Sequence, residues 1–518
     1  MTYAGHDKDF LFIHASKAEA AQVGANPLAT TRKWKLPINK HTLTTLAYKC
    51  PHPTISKLLA EEAERVSIIK FTKSRENAPT DDARLRPYQA VDISIIKDNP
   101  VLAIFNEQRT GKTPTILKAL NGLKKGLIVC PSSLKLNWLK EMNEWHDNKG
   151  IVITGSKPKR LKTYAAITDE TIIISYETLR ADINDILKHF KAFNYLIVDE
   201  AHRLRNYKTL QSKALYKVRK LCNRVYPMTG TPAVNHPADV LGILRLMYPA
   251  KYSSYWQFVE RYFTVIDGYY GKDVNALRED RKAEFNELLY THSLQRKRRD
   301  VMKWVPKVSK RIIELEPSAK QNTMFNEIIK KNSIMGEDIP NAITKLTRLR
   351  QVCVDPNYFG VDAPTPKIEF IMQYLEDNDD SVIIFSTMTQ TLKRLHEAIP
   401  GSMLLTGEQS TEEKQFAVSQ IQAGHSRVLL ANIKAGGMGF TIDKADTIIF
   451  LDKSYTPDEN DQASDRFIPV NPQATYGAKQ IISLVVKGSV EPKIEQMLED
   501  KINIIKYVND YGIDAFLR

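Results

Sequence analysis

Two short stretches of the chain carry side chains that phosphate chemistry requires. The first, NEQRTGKT, ends in GKT at 111–113, and the second is DEAH at 199–202. A lysine can bind phosphate oxygens, a hydroxyl and a carboxylate can hold Mg²⁺, and a second carboxylate can orient an attacking water. These residue types predict a site that hydrolyses a nucleoside triphosphate. Lys112 would bind phosphate, Thr113 and Asp199 would hold Mg²⁺, and Glu200 would orient or deprotonate the water.

The first stretch departs from the complete phosphate-loop pattern G-x-x-x-x-G-K-[ST]. Asn106 stands where the pattern has glycine, and Arg109 places a bulky cation in the middle of the loop. From these residues alone, a GKT that occurs by chance at a helix start is an open alternative. The context favours a phosphate loop, because VLAIF (101–105) is typical of a buried strand and the following TPTILKALNGL is typical of a helix with proline in its first turn.

The second stretch directly follows a buried strand. In YLIVDEAH, apolar residues lead straight into the two carboxylates. The carboxyl end of a parallel strand is where nucleotide crevices form in α/β sheets. The alternative, a solvated acidic turn, fits poorly with the apolar residues before it. Because each stretch follows a strand, the pair indicates a nucleotide site more strongly than either stretch alone.

Short apolar runs alternate with helical patterns from about residue 83 onward. Continuous Val, Ile and Leu runs are typical of buried parallel strands, and their alternation with helices predicts an α/β fold. The runs form two groups separated by a charged, helical stretch at about 240–370, which predicts two α/β domains with a helical insertion. The runs are VLAIF (101–105), GLIVC (126–130), TIIIS (171–175), YLIVD (195–199), VIIFS (382–386), RVLLA (427–431), TIIFLD (447–452) and IISLVV (481–486).

Composition limits the environment and the partners of the protein. Of 518 residues, 74 are Lys or Arg and 60 are Asp or Glu, and the net charge of +14 favours a polyanionic partner such as nucleic acid. The four cysteines are far apart and form no CxxC pair, so a reducing compartment fits. The N-terminus has no signal-peptide core, and no apolar run approaches the ~20 residues of a membrane span. We therefore expect a cytoplasmic protein with no membrane partner.

The order of motifs along the chain resembles that of superfamily 2 helicases, and specifically that of the Swi/Snf-type DNA translocases. The resemblance covers about residues 83–513. LRPYQ (85–89) is similar to the Q-motif region, and NEQRTGKT is similar to motif I, where this superfamily does not require the first Walker glycine. The other matching segments are VCPSSLKLNWLKEMNEW (129–145), IISYETLR (173–180), DEAH, MTGTP (228–232), LQRKRRDVMKWVP (294–306), RLRQVCVDP (348–356), VIIFSTMTQTLKRL (382–395), ANIKAGGMGFTIDKAD (431–446), LDKSYTPDENDQASDR (451–466) and VVKGSVEPKIEQMLEDK (485–501).

The resemblance implies an α/β architecture of two RecA-like parallel-sheet domains with helical protrusions and a small N-terminal domain. We expect a basic DNA-recognition domain at 1–80, the first RecA-like domain at 81–310 with a helical insertion at about 240–300, and a protrusion with the second RecA-like domain at 311–518. The implied cofactors are ATP and Mg²⁺. ATP would close the cleft between the two domains, and hydrolysis would open it.

The resemblance also assigns roles to single residues. Gln89 is the expected reader of adenine, and Arg466 of motif VI joins Lys112, Asp199 and Glu200 as a catalytic residue. The expected nucleotide-binding residues are Gln89, Arg109, Thr110, Gly111, Lys112, Thr113 and Gly439. The residues expected to couple the nucleotide and DNA sites are His202, Thr229, Gly230, Thr231 and Gln462.

The expected DNA contacts are mainly to phosphate, which positions a strand without reading its sequence. The candidates are Ser132, Ser133, Lys135, Thr178, Ser386, Asn432 and Lys434. For each of them a helix cap is the open alternative. The segment 296–311 holds eight cations and one acid. It is either a DNA-facing patch or a solvated helix face.

The N-terminal region is also basic. Residues 20–60 contain six cations and no acid, and TRKW at 31–34 resembles a stretch in the substrate-recognition domain of annealing helicases. Arg32, Lys33 and Trp34 are candidate DNA contacts, because cations around an aromatic ring bind single strands or forks by charge and stacking. The alternative is that Trp34 anchors a small basic domain to the motor.

Two departures from the family pattern affect the expected chemistry. Arg109 stands where the family has glycine in motif I, and Pro469 occupies the position of the second arginine of motif VI, which in the family reaches the ATP phosphates. Such an arginine can contribute about three decades of rate or more. The next cation, Lys479, is too far along the chain to be an obvious substitute. Either Arg466 or Arg109 fills the role, or hydrolysis is slow.

The expected function is ATP-dependent translocation on double-stranded DNA. Because no chromatin module is visible, a compact motor with a basic N-terminal domain suits branched DNA: fork regression, branch migration or strand annealing in recombination, repair or replication. The small size and the RTGKT variant resemble phage or bacterial members, and a monomer is expected. The alternatives are a strand-separating DNA or RNA helicase, a nucleic-acid-binding protein with a weakened ATPase, and a restriction-system motor, for which no nuclease motif is visible.

Overall fold

A computed structural model describes most of the chain. The described residues are 1–6, 10–15, 19–20, 25–27, 33–37, 40–62, 82–232, 236–268, 271–363, 365–436, 440–469, 477–500, 504 and 508. They form two compact units, Met1–Val301 and Met302–Arg518. The boundary expected from the sequence lies at 310, with 1–80 as a separate domain, whereas in the structure the N-terminal residues belong to the first unit. Within the described part of the chain, no helix combines the length and apolar character needed to cross a membrane.

The N-terminal part of the first unit is a small antiparallel sheet followed by a helix. The elements are β1 (Thr2–His6), β2 (Phe10–His14), β3 (Asn26–Pro27), β4 (Lys33–Pro37) and α1 (Lys40–Lys49). The strand order is β1-β2-β4-β3. Leu11, Ile13, Leu36, Leu43 and Leu46 are fully buried and form a separate core for this part. A further helical stretch covers 53–62.

A seven-stranded parallel sheet forms the centre of the first unit. Its strands are β5 (Ala103–Ile104), β6 (Gly126–Cys130), β7 (Gly150–Val152), β8 (Thr171–Ser175), β9 (Phe193–Asp199), β10 (Cys222–Met228) and β13 (Ser293–Leu294). Their order is β13-β5-β10-β9-β6-β8-β7. The helices are α2 (Pro87–Asp98), α3 (Lys112–Ala119), α4 (Lys135–Trp145), α5 (Lys157–Ala166), α6 (Tyr176–His189) and α7 (Leu210–Val218). The crossovers bring the carboxyl ends of β5, β6, β8, β9 and β10 to one edge.

The apolar runs of this sheet supply two cores, one on each face. Alternate side chains of a strand point to opposite faces. In β6, Leu127 and Val129 accordingly join one buried cluster, while Ile128 and Cys130 join the other. This double burial explains why these strands have continuous apolar sequences rather than alternating ones.

The insertion in the first unit contains both helices and strands. It comprises α8 (Leu241–Met247), α9 (Tyr255–Tyr262), β11 (Phe263–Gly268), β12 (Gly271–Leu277) and α10 (Glu279–His292), and α11 (Arg298–Val301) follows β13. β11 and β12 form an antiparallel hairpin. The insertion expected from the sequence is helical, and the structure adds this hairpin to its helices.

The second unit is built around a six-stranded parallel sheet. The strands are β14 (Val308–Leu315), β17 (Val382–Ser386), β18 (Met403–Leu405), β19 (Val428–Asn432), β20 (Thr447–Phe450) and β21 (Lys479–Val486), in the order β14-β21-β20-β17-β19-β18, beside a short hairpin of β15 (Ser333–Ile334) and β16 (Glu337–Asp338). The helices are α12 (Ala319–Asn326), α13 (Ala342–Val354), α14 (Pro366–Asp377), α15 (Thr389–Ala398), α16 (Thr411–Gln422), α17 (Ile433–Gly436), α18 (Pro457–Ser464) and α19 (Glu491–Glu499). Two parallel sheets with flanking helices confirm the expected α/β class.

A close backbone contact supports the segment that carries DEAH. A Cβ atom added at Gly242 in α8 would lie 2.0 Å from the carbonyl oxygen of Leu204. Leu204 belongs to the 3₁₀ turn Ala201–Arg205, which follows the two carboxylates. Helix α8 therefore lies against this turn only because residue 242 has no side chain.

We expect Gly242→Ala to destabilise the first unit by about 1–3 kcal/mol, because a methyl group cannot fit against backbone in a packed interior without a shift. Urea unfolding of the variant and of Gly407→Ala measures this. Gly407 is the matched control, because a Cβ atom there meets nothing within 4 Å. Equal unfolding free energies for the two variants would contradict the close contact.

Candidate functional site

The loop between β5 and α3 contains two residues in the left-handed backbone conformation. Gly111, just before α3, has a φ of 73°, and a Cβ atom there would lie 2.7 Å from Nε2 of Gln89. Both the left-handed backbone and the close neighbour require glycine at this position. Arg109 also has a positive φ, of 67°. The loop therefore has two left-handed residues, of which only one is glycine.

Lys112 lies at the centre of this loop. Its Nζ donates to the carbonyl oxygens of Asn106 at 2.9 Å and of Glu107 at 3.2 Å. A Cβ atom added at Gly230 would lie 3.8 Å from the same Nζ. The predicted motif III loop thus lies beside the lysine. Backbone carbonyls are partners that an ammonium group can exchange for phosphate oxygens, so Lys112 suits its predicted role.

The segment RPYQ at the start of α2 holds the loop in place through its side chains. The Gln89 amide donates to the Gly111 carbonyl at 3.1 Å and to Thr115 Oγ1 at 2.9 Å, and accepts from the Arg86 N–H at 2.8 Å. Tyr88 Oη donates to the Thr110 carbonyl at 2.7 Å. Both ends of the Gln89 amide are engaged within the protein, so it would have to release these bonds to read adenine. That role stays a prediction.

Asn106, which replaces the first Walker glycine, is a buried polar link. Its Nδ2 donates to Asp92 Oδ2 at 2.9 Å, and Asp92 Oδ1 accepts from Arg296 Nε at 3.0 Å and Nη2 at 2.7 Å. Asn106 is 1% exposed and Asp92 is fully buried. The backbone continues the link, because the Glu107 N–H donates to the Arg296 carbonyl at 2.9 Å. The start of the loop is therefore fixed to the segment that follows the insertion.

Asp199 and Glu200 emerge from β9 at the same edge of the sheet. Trp138 Nε1 donates to Asp199 Oδ2 at 2.9 Å, and the Glu200 N–H donates to Asp199 Oδ1 at 2.9 Å. Tyr176 Oη donates to the Asp199 carbonyl at 2.6 Å. Glu200 has a φ of 50°, a conformation that costs a non-glycine residue about 1–3 kcal/mol and is typical of functional sites.

The electrostatics of this pair favour a cation. Burial, followed by the charge of Glu200, raises the pKa of Asp199 to about 6, while Trp138 and Lys112 act in the opposite direction. A pair of carboxylates in a poorly solvated position repel one another. A divalent cation held by Asp199 with the Thr113 hydroxyl would relieve this repulsion. The donor set therefore fits a Mg²⁺ complex of a nucleoside triphosphate.

His202 connects the carboxylate pair to the predicted motif III. Its Nδ1 lies 3.2 Å from Glu200 Oε2 and 3.2 Å from Thr229 Oγ1. Thr229 Oγ1 also accepts from the Thr231 N–H at 3.2 Å. The structure thus links His202, Thr229 and Thr231 by hydrogen bonds and places His202 within ion-pair distance of Glu200. The coupling role stays a prediction.

The motif Ia and Ib candidates lie at the same sheet edge, after β6 and β8. Ser132 and Ser133 are exposed in a 3₁₀ turn. Lys135 donates to the Ile153 carbonyl at 3.0 Å. The hydroxyl of Thr178 lies 3.0 Å from that of Ser175, which caps α6. The two serines are available to a phosphate, whereas Lys135 and Thr178 also have structural partners.

The DNA-contact candidates of the second unit differ in their exposure to solvent. Ser386 at the end of β17 is fully buried, and its hydroxyl donates to Asp452. The expected phosphate contact by its side chain is therefore not supported. Asn432 at the end of β19 donates to Thr387 O at 3.1 Å and accepts from the Lys434 N–H at 3.1 Å. Lys434 is exposed, so it remains available to phosphate.

The motif VI region of the second unit is described only in part. Arg466 lies partly buried in the 3₁₀ turn Asp465–Phe467, and its carbonyl accepts from the Ile442 N–H at 2.9 Å. Gln462 lies in α18, and Pro469 is buried. Gly439 lies outside the described residues.

Lys479 has a structural role. It is 2% exposed, and its Nζ donates to the carbonyl of Asp443 at 2.8 Å and to that of Ala445. Burial lowers its pKa below the usual lysine range. A lysine held in this way cannot replace the arginine missing at Pro469.

The N-terminal candidates are only partly described. Lys33 and Trp34 lie in β4, and Arg32 lies outside the described residues. A buried polar contact attaches this region to the insertion: Arg261 donates to Thr42 Oγ1 at 2.9 Å and to Glu284 Oε1 at 2.8 Å. The N-terminal sheet and α1 are thus anchored on α9 and α10.

Sequence reasoning missed four supporting residues of the site. These are Asp92, Trp138, Tyr176 and Arg296. Trp138 and Tyr176 hold the carboxylate pair, and Asp92 and Arg296 hold the loop. The only sequence signal for Asp92 is an acid in an otherwise apolar helix segment, AVDISII at 90–96, which indicates a buried partner without identifying it.

Two family models match the chain. The SNF2-related domain matches residues 23–358, and the helicase conserved C-terminal domain matches residues 366–468. The first covers more than half of the sequence. Among solved structures, the SWI2/SNF2 ATPase core of Sulfolobus solfataricus in complex with dsDNA is similar at 21% identity and a TM-score of 0.39, over 84% of this chain and 95% of that one.

Curated relatives are similar over most of this chain. The chromodomain-helicase-DNA-binding protein 3 homolog of Caenorhabditis elegans is 26% identical over 88% of this chain and 28% of its own length. The DNA annealing helicase and endonuclease ZRANB3 of Mus musculus is 24% identical over 88% and 43%. The uncharacterized ATP-dependent helicase MG018 of Mycoplasma genitalium is 24% identical over 82% and 42%. The chain thus spans less than half the length of each of these relatives.

We expect Asp92→Ala to lower the unfolding free energy of the first unit by about 3–5 kcal/mol, because it leaves the Arg296 guanidinium without its buried carboxylate. It should also raise the KM for ATP, since Asn106 loses the acceptor that fixes the loop. Denaturant unfolding and steady-state hydrolysis measure the two effects.

Asp182→Ala is the matched control for this prediction. Asp182 is fully buried and forms a bidentate pair with Arg160 in the same unit, at 2.6 Å and 2.7 Å. This variant should lose comparable stability while keeping the wild-type KM. If both variants keep that KM, the link from Asp92 to the loop does not position nucleotide.

Proposed function

We propose that this chain, which belongs to the SNF2-related family, is a DNA-dependent ATPase that translocates along double-stranded DNA. One observation carries the proposal: a lysine, a pair of carboxylates and a histidine-linked motif III meet at one edge of the first sheet. The three parts are Lys112, the pair ending in Glu200, and Thr229, and Nδ1 of His202 lies 3.2 Å from both Glu200 Oε2 and Thr229 Oγ1. Such an arrangement can bind a triphosphate, and a change in the bound group can alter the contacts of the neighbouring motif III loop.

The chain's own residues divide the hydrolytic work. Lys112 would exchange its two loop carbonyls for phosphate oxygens, while the N–H groups at the start of α3 face the same anion. Thr113 and Asp199 would hold Mg²⁺, with Trp138 keeping the Asp199 carboxylate oriented. Glu200 would orient or deprotonate the attacking water. The bound cofactor supplies the scissile phosphoanhydride bond and the metal charge that stabilises the phosphates.

Exposed groups at the sheet edges support contact with a nucleic-acid backbone. Ser132 and Ser133 in the first unit, and Lys434 in the second, are exposed close to strand ends. Contacts of this kind bind phosphate without sequence preference. Together with the net charge of +14, they favour a polyanionic track.

Branched DNA is the substrate class that we infer. The similarity to a DNA annealing helicase of mouse supports it. A basic N-terminal sheet that is anchored on the insertion through Arg261 and Thr42 also supports it, because this accessory part can add a contact beside the motor. Recombination or repair, and a bacterial or phage cytoplasm, are the corresponding settings.

A second candidate is a nucleic-acid-binding protein with a weakened ATPase. Pro469 at an expected arginine position favours it, and Lys479 is buried on carbonyl groups and offers no substitute. The complete set of loop and carboxylate groups in the first unit favours the active motor.

The test of the proposal is ATP hydrolysis without nucleic acid, with single strands, with duplex and with a four-way junction. Duplex or junction should stimulate hydrolysis strongly, and Glu200→Gln should abolish it, because the amide cannot accept a proton from water. No hydrolysis on any DNA, with DNA binding intact, would establish the second candidate. Strand displacement on a fork without movement of a junction would instead indicate a strand-separating helicase.

We further expect Arg109→Gly to reduce hydrolysis by at least tenfold if Arg109 supplies the cation that Pro469 removes. Stability should change by no more than about 1 kcal/mol, because relief of the left-handed backbone offsets the entropy of the added glycine. Arg109→Lys, which keeps the charge, is the control. Unchanged hydrolysis in Arg109→Gly would show that Arg109 does not replace the arginine absent at position 469. Arg466 would then be the remaining candidate for that role.

A further inference from the structure

A basic stretch without acids begins immediately after the carboxylate pair. Between Ala201 and Ala238 the chain has eight lysines and arginines and no Asp or Glu. Arg203, Arg205 and Lys208 are all exposed. A stretch with this charge bias favours a polyanion at the surface of the first unit. It does not belong to the motif Ia, Ib, IV or V contacts.

Aromatic rings from three segments of the first unit meet beside this stretch. Tyr207 stacks on Tyr255 with ring centroids 5.6 Å apart and planes 23° apart, and Tyr255 meets Trp256 edge-on at 5.3 Å. The Arg245 guanidinium lies 4.9 Å from the Tyr207 ring and 5.8 Å from the Tyr216 ring. Residues from the turn after DEAH, from α7, α8 and α9 therefore build one platform, here called the Tyr207–Trp256 platform.

The outer end of this platform is open. Trp256 is 43% exposed, although it is a large apolar side chain. Lys208 Nζ lies 5.8 Å from the Tyr207 ring and is exposed. An exposed ring and an exposed cation on the same platform offer the two parts of a nucleotide contact: a face for base stacking and a charge for phosphate.

The acids near the platform leave its cations in excess. Glu177 bonds to Arg203 at 3.5 Å and to Gln211 at 3.3 Å, and so neutralises one cation. Burial raises the pKa of Tyr255, and the negative charge of Asp239 raises it further. Glu260 lies one turn along α9 from Trp256. Lys208 and Arg245 remain beside the aromatic rings, and Arg205 is exposed two residues before Tyr207.

A purely structural role explains only part of the platform. Arg245 between Tyr207 and Tyr216 can fix the turn after DEAH without any ligand. This role does not require an exposed tryptophan at the end of the ring series, nor an exposed lysine beside the Tyr207 ring. The outer groups are the ones a nucleic acid would reach.

We propose that the Tyr207–Trp256 platform binds unpaired nucleotides of a branched DNA substrate. The inference rests on the proposed function and names the part of the first unit that would distinguish a junction from a plain duplex. Bases in duplex DNA already stack on one another, whereas unpaired bases at a fork or junction can stack on Trp256. Because the segment 201–207 joins Glu200 to Tyr207, a bound strand would also steady the carboxylate end of the site.

The binding test compares Trp256→Ala with Trp256→Phe. Fluorescence anisotropy would measure affinities for a labelled oligo-dT strand and for a blunt duplex. Trp256→Ala should weaken oligo-dT binding at least about fivefold, as expected for loss of one base-stacking ring. Blunt-duplex affinity should stay within twofold of wild type, and Trp256→Phe should restore most of the oligo-dT affinity. Oligo-dT binding that is unchanged in Trp256→Ala would overturn the proposal.

A charge variant tests the phosphate part of the same platform. Arg205→Gln with Lys208→Gln should reduce the slope of log affinity against log salt for oligo-dT by about 0.7 for each lost phosphate contact. Thermal unfolding of each variant checks its folding. If Trp256→Ala unfolds, the charge pair decides, because an unchanged salt slope for oligo-dT in that variant would overturn the proposal.

The hydrolysis readout separates this inference from the proposed function. If wild-type hydrolysis responds to no DNA, the motor proposal fails, while the oligo-dT measurement still decides on the platform. If hydrolysis responds to duplex and junction equally in wild type and in Trp256→Ala, the motor stands and the platform does not select junctions. Loss of the extra stimulation by a forked duplex in Trp256→Ala alone would support both.

Discussion

The carboxylate pair at the end of β9 is the constraint on which the first unit depends. A strand that is buried along most of its length delivers two negative charges into a poorly solvated position, and the pKa of Asp199 rises as a result. Its neighbours hold this unfavourable arrangement: Trp138 donates to the carboxylate and Tyr176 donates to the backbone. Glu200 adds a left-handed conformation. The close carboxylates and the left-handed Glu200 lower the stability of the first unit, and a bound cation and anion would offset this cost.

The predicted phosphate loop, which begins with Asn106 instead of the usual glycine, is also held in place by its neighbours. Asn106 is fixed from outside by Asp92 and Arg296, and Glu107 is fixed by backbone pairing to the segment after the insertion. This bracing makes the loop geometry depend on residues nearly two hundred positions away. Because of these contacts, a change in the position of the 293–298 segment would also move the loop around Lys112.

The sequence predicted the elements whose information is local. The apolar runs of β6, β8, β9, β17, β19, β20 and β21 correspond to strands, because burial on both faces leaves a continuous signal. β10 was missed since Arg224 and Pro227 interrupt its apolar pattern, and β14 was missed since an edge strand carries Lys310 and Arg311. The residue types of GKT and DEAH, on which the predicted chemistry rests, are likewise a local signal. Asp92 and Trp138 were not predictable, because their roles exist only through partners brought near by the fold.

Polar residues at strand ends show why ligand roles cannot be assigned from residue type alone. Lys112 and Ser386 both follow a buried parallel strand. Lys112 bonds to backbone carbonyls of its own loop, which water or phosphate can replace at small cost. Ser386 bonds to a buried carboxylate, Asp452, which also pairs with Arg350 at 2.8 Å. Withdrawing a donor from such a charge costs on the order of 1–3 kcal/mol or more. The first arrangement is accessible to an anion, whereas the second already stabilises the fold, so in the second unit an exposed group such as Lys434 is the better candidate for the predicted phosphate contact.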